Sequence, residues 1–137
     1  QSLENLIDPQ LRVNADGDRL QQVLHNLIDN AIKYGSTGGL VRVGAELQTD
    51  CVQVHVQDDG PGIPPEARER IFERFFRVDK ARSREAGGTG LGLSIVKHII
   101  QAHGGRVWVE AGESGGSVFL FTLPHGAREP LAQSLEK

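Results

Sequence analysis

Val52-Gln53-Val54-His55-Val56-Gln57, running directly into Asp58-Asp59-Gly60-Pro61-Gly62-Ile63, is the stretch from which the rest of the chain can be read. Its first half alternates valine with polar residues, the period of a half-buried strand. Asp58 keeps the phase of the valines, so its carboxylate is expected to point toward the core side. A buried carboxylate without a partner is expensive, which implies a partner or a ligand beside it. The glycines that follow permit positive φ and close backbone approach. Taken alone, Asp-x-Gly is often only a turn. Asp59 is one step out of phase and is expected to be exposed.

Working outward from that strand, Val41, Val43, Ala45 and Leu47 share one parity, and Thr49-Asp50 makes the turn of a hairpin. Further upstream, Leu20, Val23, Leu24, Leu27, Ile28 and Ala31 recur at the spacing of one buried helical stripe. Asp16 or Asp18 offers the N-cap, and Gly35 with the Gly38-Gly39 pair ends the helix. Leu11-Arg12-Val13-Asn14-Ala15 fits a short strand before it. Downstream, Pro64-Pro65 opens a helix expected to run through about Phe76. Residues 77–90 show no period and read as a long loop. Leu91 to His103 is helical in pattern, with Ile95, Val96, Ile99 and Ile100 apolar and Gly104 as its stop. Strands over Arg106–Ala111 and Val118–Leu123 flank a Gly-rich turn, and Pro124 closes the domain. The expected division is a domain over 1–125 and a polar tail over 126–137. Runs of strands between helices point to an α+β sandwich rather than a doubly wound parallel sheet.

Composition narrows the function classes. A chain of 137 residues with 38% hydrophobic and 24% charged residues suits one globular domain. Net charge of −3 argues against a nucleic-acid binder. The single cysteine, Cys51, excludes an internal disulfide and any multi-cysteine metal site. No apolar run approaches the ~20 residues that span a bilayer, and no signal peptide is recognisable. Glycine stands out, with 17 residues, many crowded into three short stretches.

Two further constellations carry chemistry. Asn26, Asn30 and Lys33 fall within about 60° of one another on the first helix, roughly a third of a turn from its apolar stripe. Such a ridge is either a solvated face or the rim of a ligand site. An amide oxygen suits Mg²⁺ and a lysine suits a phosphate. His25 and Asp29 lie on the outer side and read as surface residues. The other constellation is Gly87-Gly88-Thr89-Gly90-Leu91-Gly92-Leu93, which enters a helix directly. Free N–H groups and the positive end of the helix dipole make a natural phosphate seat. It follows a long loop rather than a strand, so a dinucleotide-binding reading fails. The phosphate-loop ending Gly-Lys-Ser/Thr is absent.

The order of these motifs resembles one family. Asn26-Leu27-Ile28-Asp29-Asn30-Ala31-Ile32-Lys33-Tyr34 looks like the N box of a sensor histidine kinase catalytic domain, and Asp58 to Ile63 like its G1 box. Phe72-Glu73-Arg74-Phe75-Phe76-Arg77 is similar to the F box, and Gly88 to Leu93 to the G2 box. The resemblance covers about residues 11–124. It implies a Bergerat-type two-layer α/β sandwich, with a mixed, mostly antiparallel sheet and helices on one face. It implies that Asp58 accepts the adenine amino group of ATP, with Gly60, Gly62 and Ile63 lining the same pocket. Asn26, Asn30 and Lys33 would form the catalytic set, with Asn30 holding Mg²⁺ against the phosphates. Lys33 and Arg77 would reach phosphate oxygens, and Tyr34 would line the nucleotide. The backbone of Gly88, Thr89, Gly90, Leu91 and Gly92 would wrap the phosphates, under an ATP lid over 77–90 carrying Arg77, Lys80, Arg82 and Arg84. Its lack of apolar anchors fits a segment that orders on nucleotide. One departure is Ser114-Gly115-Gly116-Ser117, where the family often has Gly-x-Gly-Ser; that region is expected to shape a turn.

Members of the wider superfamily that hydrolyse ATP (the Hsp90-like, MutL-like and gyrase-type enzymes) resemble each other in a glutamate at the first N-box position. Here that position is Asn26, and an amide cannot accept a proton at neutral pH. Phosphoryl transfer needs positioning and charge neutralisation rather than a base on water. An anti-sigma-factor serine kinase and a binding-only regulator remain the alternatives. None of His25, His55, His98, His103 and His125 is followed by the Glu or Asp of a phosphoacceptor box. The expected partners are therefore ATP, a separate dimerising helical domain that carries the acceptor histidine, and a response-regulator receiver domain. The resemblance places such a domain in the cytoplasm, with the parent anchored in the bacterial inner membrane. Trp108 and the Phe119/Phe121 pair are an interaction surface or, more in keeping with strand spacing, core packing.

Overall fold

Asp16 starts the first helix. In the computed structural model its Oδ1 accepts the backbone N–H groups of Asp18, at 3.0 Å, and Arg19, at 3.3 Å. Of the two candidate caps it is the one used, satisfying donors the helix itself cannot. The structure describes residues 2–5, 16–34, 39–74, 92–112 and 115–124, with backbone only for 2–5, Lys33 and Tyr34. Helix α1 spans Gly17–Tyr34. Val23, Leu27 and Ala31 of its apolar stripe are fully buried, while Leu20, Leu24 and Ile28 pack at the margin of the core.

Five strands form one sheet: β1 (Ser2–Asn5), β2 (Leu40–Leu47), β3 (Cys51–Gln57), β4 (Val107–Ala111) and β5 (Ser117–Pro124). Their order is β1-β2-β3-β5-β4, with β1–β2 parallel and every other pair antiparallel. The β2–β3 hairpin closes where the Gln48 N–H donates to the Cys51 carbonyl at 2.8 Å, around the expected Thr49-Asp50 turn. Val41 and Val43, the three β3 valines, and Phe119, Phe121 and Leu123 of β5 all turn to one core. Helix α2 (Gly92–Ala102) adds Val96, Ile99 and Ile100, whereas Ile95 stays outside the core, 36% exposed. Gly104, at φ +81°, stops that helix in the left-handed conformation its C-terminus needs. The Gly105 N–H then donates to the Ile100 carbonyl at 2.9 Å. The α+β sandwich with a mostly antiparallel sheet is thus the observed architecture.

Trp108 does not share the core with Phe119 and Phe121. It alternates to the other face of the sheet, half-buried beneath the Arg106 guanidinium, whose carbon lies 4.7 Å from the ring centroid. Its indole N–H donates to Glu110 at 2.9 Å.

One expectation needs correction, and one strand goes beyond the sequence reading. Pro64-Pro65 does not open a helix reaching Phe76; the chain makes two short 3₁₀ turns, Pro65–Ala67 and Arg70–Phe72. Ala67, Ile71 and Phe72 are its buried anchors, and after them Glu73 is already extended at ψ 148°. So few residues cannot offset the nucleation of a longer helix, and i→i+3 bonds satisfy the backbone instead. Strand β1 has no signal in Ser2-Leu3-Glu4-Asn5, since a polar edge strand in parallel register owes its pairing to its neighbour. The strand expected over Leu11–Ala15, and the tail over 126–137, lie outside the described residues.

Leu27 tests the core. Leu27→Ala should lower unfolding free energy by about 2–5 kcal/mol in urea titrations, while Leu47→Ala, 59% exposed in the native chain, should change it by less than about 0.5 kcal/mol.

Candidate nucleotide site

Asp58 is held where the strand pattern placed it. Its backbone N–H donates to the Ser117 carbonyl at 2.9 Å, extending the β3–β5 pairing by one step. The residue is only 7% exposed, and with Ser117 it makes up the buried polar residues among those described. Burial pushes its carboxyl pKa up; hydrogen bonding to the backbone of Gly60 and Ser117 opposes this in part, and the Asp59 charge adds to the rise. The Gly60 N–H donates to Oδ1 at 2.8 Å. Two backbone donors do not saturate a carboxylate with about four lone-pair positions. Acceptor capacity is left for a ligand that brings its own N–H.

The glycine turn before β5 contributes more to this site than a turn shape. Gly116 sits at φ +76°, and a Cβ there would collide with the Asp58 carbonyl oxygen. Ser117 and Gly116 are therefore supports of the acidic loop that motif reading missed. Their position 58 residues and more along the chain left no local signal, apart from the glycine pair itself. Asp59 is exposed, as its phase implied, yet its Oδ2 accepts the Leu40 N–H at 3.0 Å. The doublet thus divides its work: Asp58 faces inward, and Asp59 ties the chain after α1 to the start of β2.

The α1 ridge meets the second glycine motif directly. Asn26 and Asn30 are half-buried, and Asn26 Nδ2 donates to the Gly92 carbonyl at 3.4 Å, a long bond. His25 is exposed, while Asp29 is half-buried rather than fully on the surface. Ile63 packs against the core, and its carbonyl accepts a bond from Arg68 Nε at 3.4 Å. Phe72, first residue of the F box, is anchored edge-on against Phe119 at 6.2 Å between centroids. The structure therefore brings Asn26 to Gly92, with Asn30 one turn further along α1, while Asp58, Gly60, Gly62 and Ile63 follow one another in the loop after β3. The side chains of Lys33 and Tyr34, and all of Arg77, Gly88, Thr89, Gly90, Leu91 and the lid over 77–90, lie outside the described residues.

The raised Asp58 pKa has a measurable sign. Between the ordinary carboxylate range and the raised value, the folded chain holds more protons than the unfolded one. Stability therefore falls as pH rises through that window and stays lost above it. Asp58→Asn cannot lose a proton and keeps an acceptor for the Gly60 N–H. Without nucleotide, it should melt a few degrees higher than wild type at pH 7–8, with the gap closing as pH falls toward the carboxylate range. Thermal melts across pH read this directly.

The chain matches the family of histidine kinase-, DNA gyrase B- and HSP90-like ATPases over residues 15–127. It is 46% identical over 125 residues to the sensor histidine kinase WalK of Bacillus subtilis, covering 90% of this chain and 20% of that protein. The chain thus spans only about a fifth of that relative's length. A mycobacterial sensor histidine kinase, MprB, superposes with a TM-score of 0.77 at 34% identity, over 90% of this chain and 81% of that one. Full-length ShkA in complex with AMPPNP gives 0.77 at 36% identity, over 90% and 25%. The histidine kinase ThkA, in complex with the response regulator TrrA, gives 0.73 at 37%, over 93% and 34%. Together with the paired motifs of the site, these matches establish that the chain belongs to the histidine kinase-, DNA gyrase B- and HSP90-like ATPase family, as an ATP-binding catalytic domain of the sensor histidine kinase type.

Proposed function

We propose that this domain binds Mg²⁺-ATP and delivers its γ-phosphoryl group to a histidine on a separate dimerising helical domain. A response-regulator aspartate then receives it. The observation that carries this reading is the buried, incompletely saturated Asp58 carboxylate. An exocyclic amino group donates to such an acceptor, as adenine does and guanine's carbonyl edge does not. The AMPPNP held by ShkA and the response regulator held by ThkA support the same substrate and the same onward partner.

In this reading Asp58 fixes the base while Gly60, Gly62 and Ile63 shape its pocket. Asn26 and Asn30 present amide oxygens at the phosphate end, where Asn26 Nδ2 is already engaged with Gly92. These hard neutral donors fit Mg²⁺, which would neutralise phosphate charge when bound. Lys33 and Arg77 would reach phosphate oxygens, Tyr34 would line the nucleotide, and the Gly88–Gly92 backbone would wrap the phosphates beneath the lid. In the transfer, the bond between the γ-phosphorus and the bridging oxygen breaks, a phosphorus–nitrogen bond forms on the acceptor imidazole, and ADP leaves. Asn26 supplies no general base to water, so hydrolysis is disfavoured relative to transfer. Among the described residues no helix is long and apolar enough to cross a membrane. The domain would work in the cytoplasm, with its parent anchored in the bacterial inner membrane.

Two experiments test the reading. Mixed with the phosphoacceptor domain of its own parent and γ-labelled ATP, the chain should place label on histidine. Release of free phosphate with no phosphohistidine would instead favour an ATPase. Asn30→Ala should weaken Mg²⁺-ATP binding roughly tenfold and abolish its dependence on Mg²⁺; an unchanged magnesium response would assign the ion to another residue.

A further inference from the structure

We propose that His103, at the end of α2 remote from the nucleotide, is a positioning residue for the phosphate half of the site. This inference rests on the nucleotide reading above and concerns how that site is held. Both ring nitrogens of His103 are engaged. Nε2 lies 3.1 Å from the backbone N of Asp16, and Nδ1 lies 2.8 Å from the Ile99 carbonyl oxygen. A backbone N–H can only donate, so Nε2 accepts. The proton then sits on Nδ1, which donates to Ile99. The ring is thereby fixed on the last turn of its own helix and presents an acceptor to the residue that caps α1.

Asp16 is thus shared between the two helices. Its N–H goes to His103, and its carboxylate oxygen caps the Asp18 and Arg19 N–H groups. At the opposite end of α2, Asn26 Nδ2 reaches the Gly92 carbonyl. Asp16 to Asn26 is ten residues of α1, about 15 Å; Gly92 to His103 is eleven residues, about 17 Å. The helices run antiparallel, tied at the start of α1 and again near its middle, and the stretches of helix between the two ties match in length. Between them Val23, Leu27, Val96, Ile99 and Ile100 supply buried apolar contact. Such contact is non-directional and resists separation better than sliding. Directional hydrogen bonds set the axial register, and the Asn26–Gly92 bond is the longer of the two. His103 therefore holds the register that keeps Asn26 opposite the start of α2, with Asn30 one turn further along α1. Asp58 is fixed independently, by β5 and the Gly116 turn. The two halves of the site have separate supports.

That separation makes the inference testable. The nucleotide-free wild type should show His103 with its proton on Nδ1 in long-range proton–nitrogen NMR spectra; an Nε2-protonated ring could not accept from Asp16 and would overturn the proposal. Calorimetry with Mg²⁺-ATP and with adenosine supplies the second readout. His103→Ala should weaken Mg²⁺-ATP roughly five- to tenfold, the loss of one net hydrogen bond, and leave adenosine within about twofold. His103→Gln, which restores an acceptor for the Asp16 N–H, should recover most of the loss. Equal weakening of both ligands, or of neither, would reject a positioning role while leaving the nucleotide reading intact. A wild type that binds neither ligand would reject the nucleotide reading, and this inference with it.

Discussion

A carboxylate buried at the end of a central strand works against the stability of the nucleotide-free chain, and much of the surrounding structure answers to it. Asp58 continues the inward phase of Val52, Val54 and Val56, so the valines that build the core also carry the charge to its edge. The neighbouring strand takes its backbone N–H on the Ser117 carbonyl, backbone hydrogen bonds from Gly60 and Ser117 meet the carboxylate, and Gly116 leaves room for the chain between them. These contacts reduce the desolvation penalty without removing it, as the direction of the Asp58 pKa shows. In the proposed function, an adenine amino group would supply what is still missing. Functional sites commonly retain such uncompensated polarity where a ligand is to complete it.

The phosphate half follows a different logic. Its amides stand on α1, its glycine backbone opens α2, and their relation depends on how the two helices pack. Apolar side chains between α1 and α2 hold them together, while the ties at Asp16–His103 and Asn26–Gly92 set how far one is advanced along the other. One half of the site is thus built by strand pairing and the other by helix register. Under the proposed function, their independence would separate selection of the base from alignment of the phosphates.

Much of this was legible in the amino-acid order because it is periodic. The stripe from Leu20 to Ala31 predicts α1 and its buried side, and alternation from Val52 to Val56 predicts both β3 and the inward aim of Asp58. What escaped reading depends on partners far along the chain. Strand β1 is a short polar edge whose only reason to extend is β2 beside it. The Pro64–Phe76 stretch carries helix-starting prolines, yet its anchors at Ala67, Ile71 and Phe72 are met with two tight turns. Ser117 and Gly116 read as turn residues until β5 lies against β3. His103 reads as a polar residue near a helix end until Asp16, 87 positions away, is brought to its Nε2. Local patterns encode faces and caps; they do not encode which faces meet.

The central claim is that Asp58 selects adenine. It is tested most directly by titrating the wild-type chain with Mg²⁺-ATP and Mg²⁺-GTP in parallel calorimetric experiments. Saturable binding with ATP clearly preferred is the predicted result, because guanine offers a carbonyl where adenine offers a donor. Equal affinities, or preference for GTP, would contradict the account and detach Asp58 from recognition of the base.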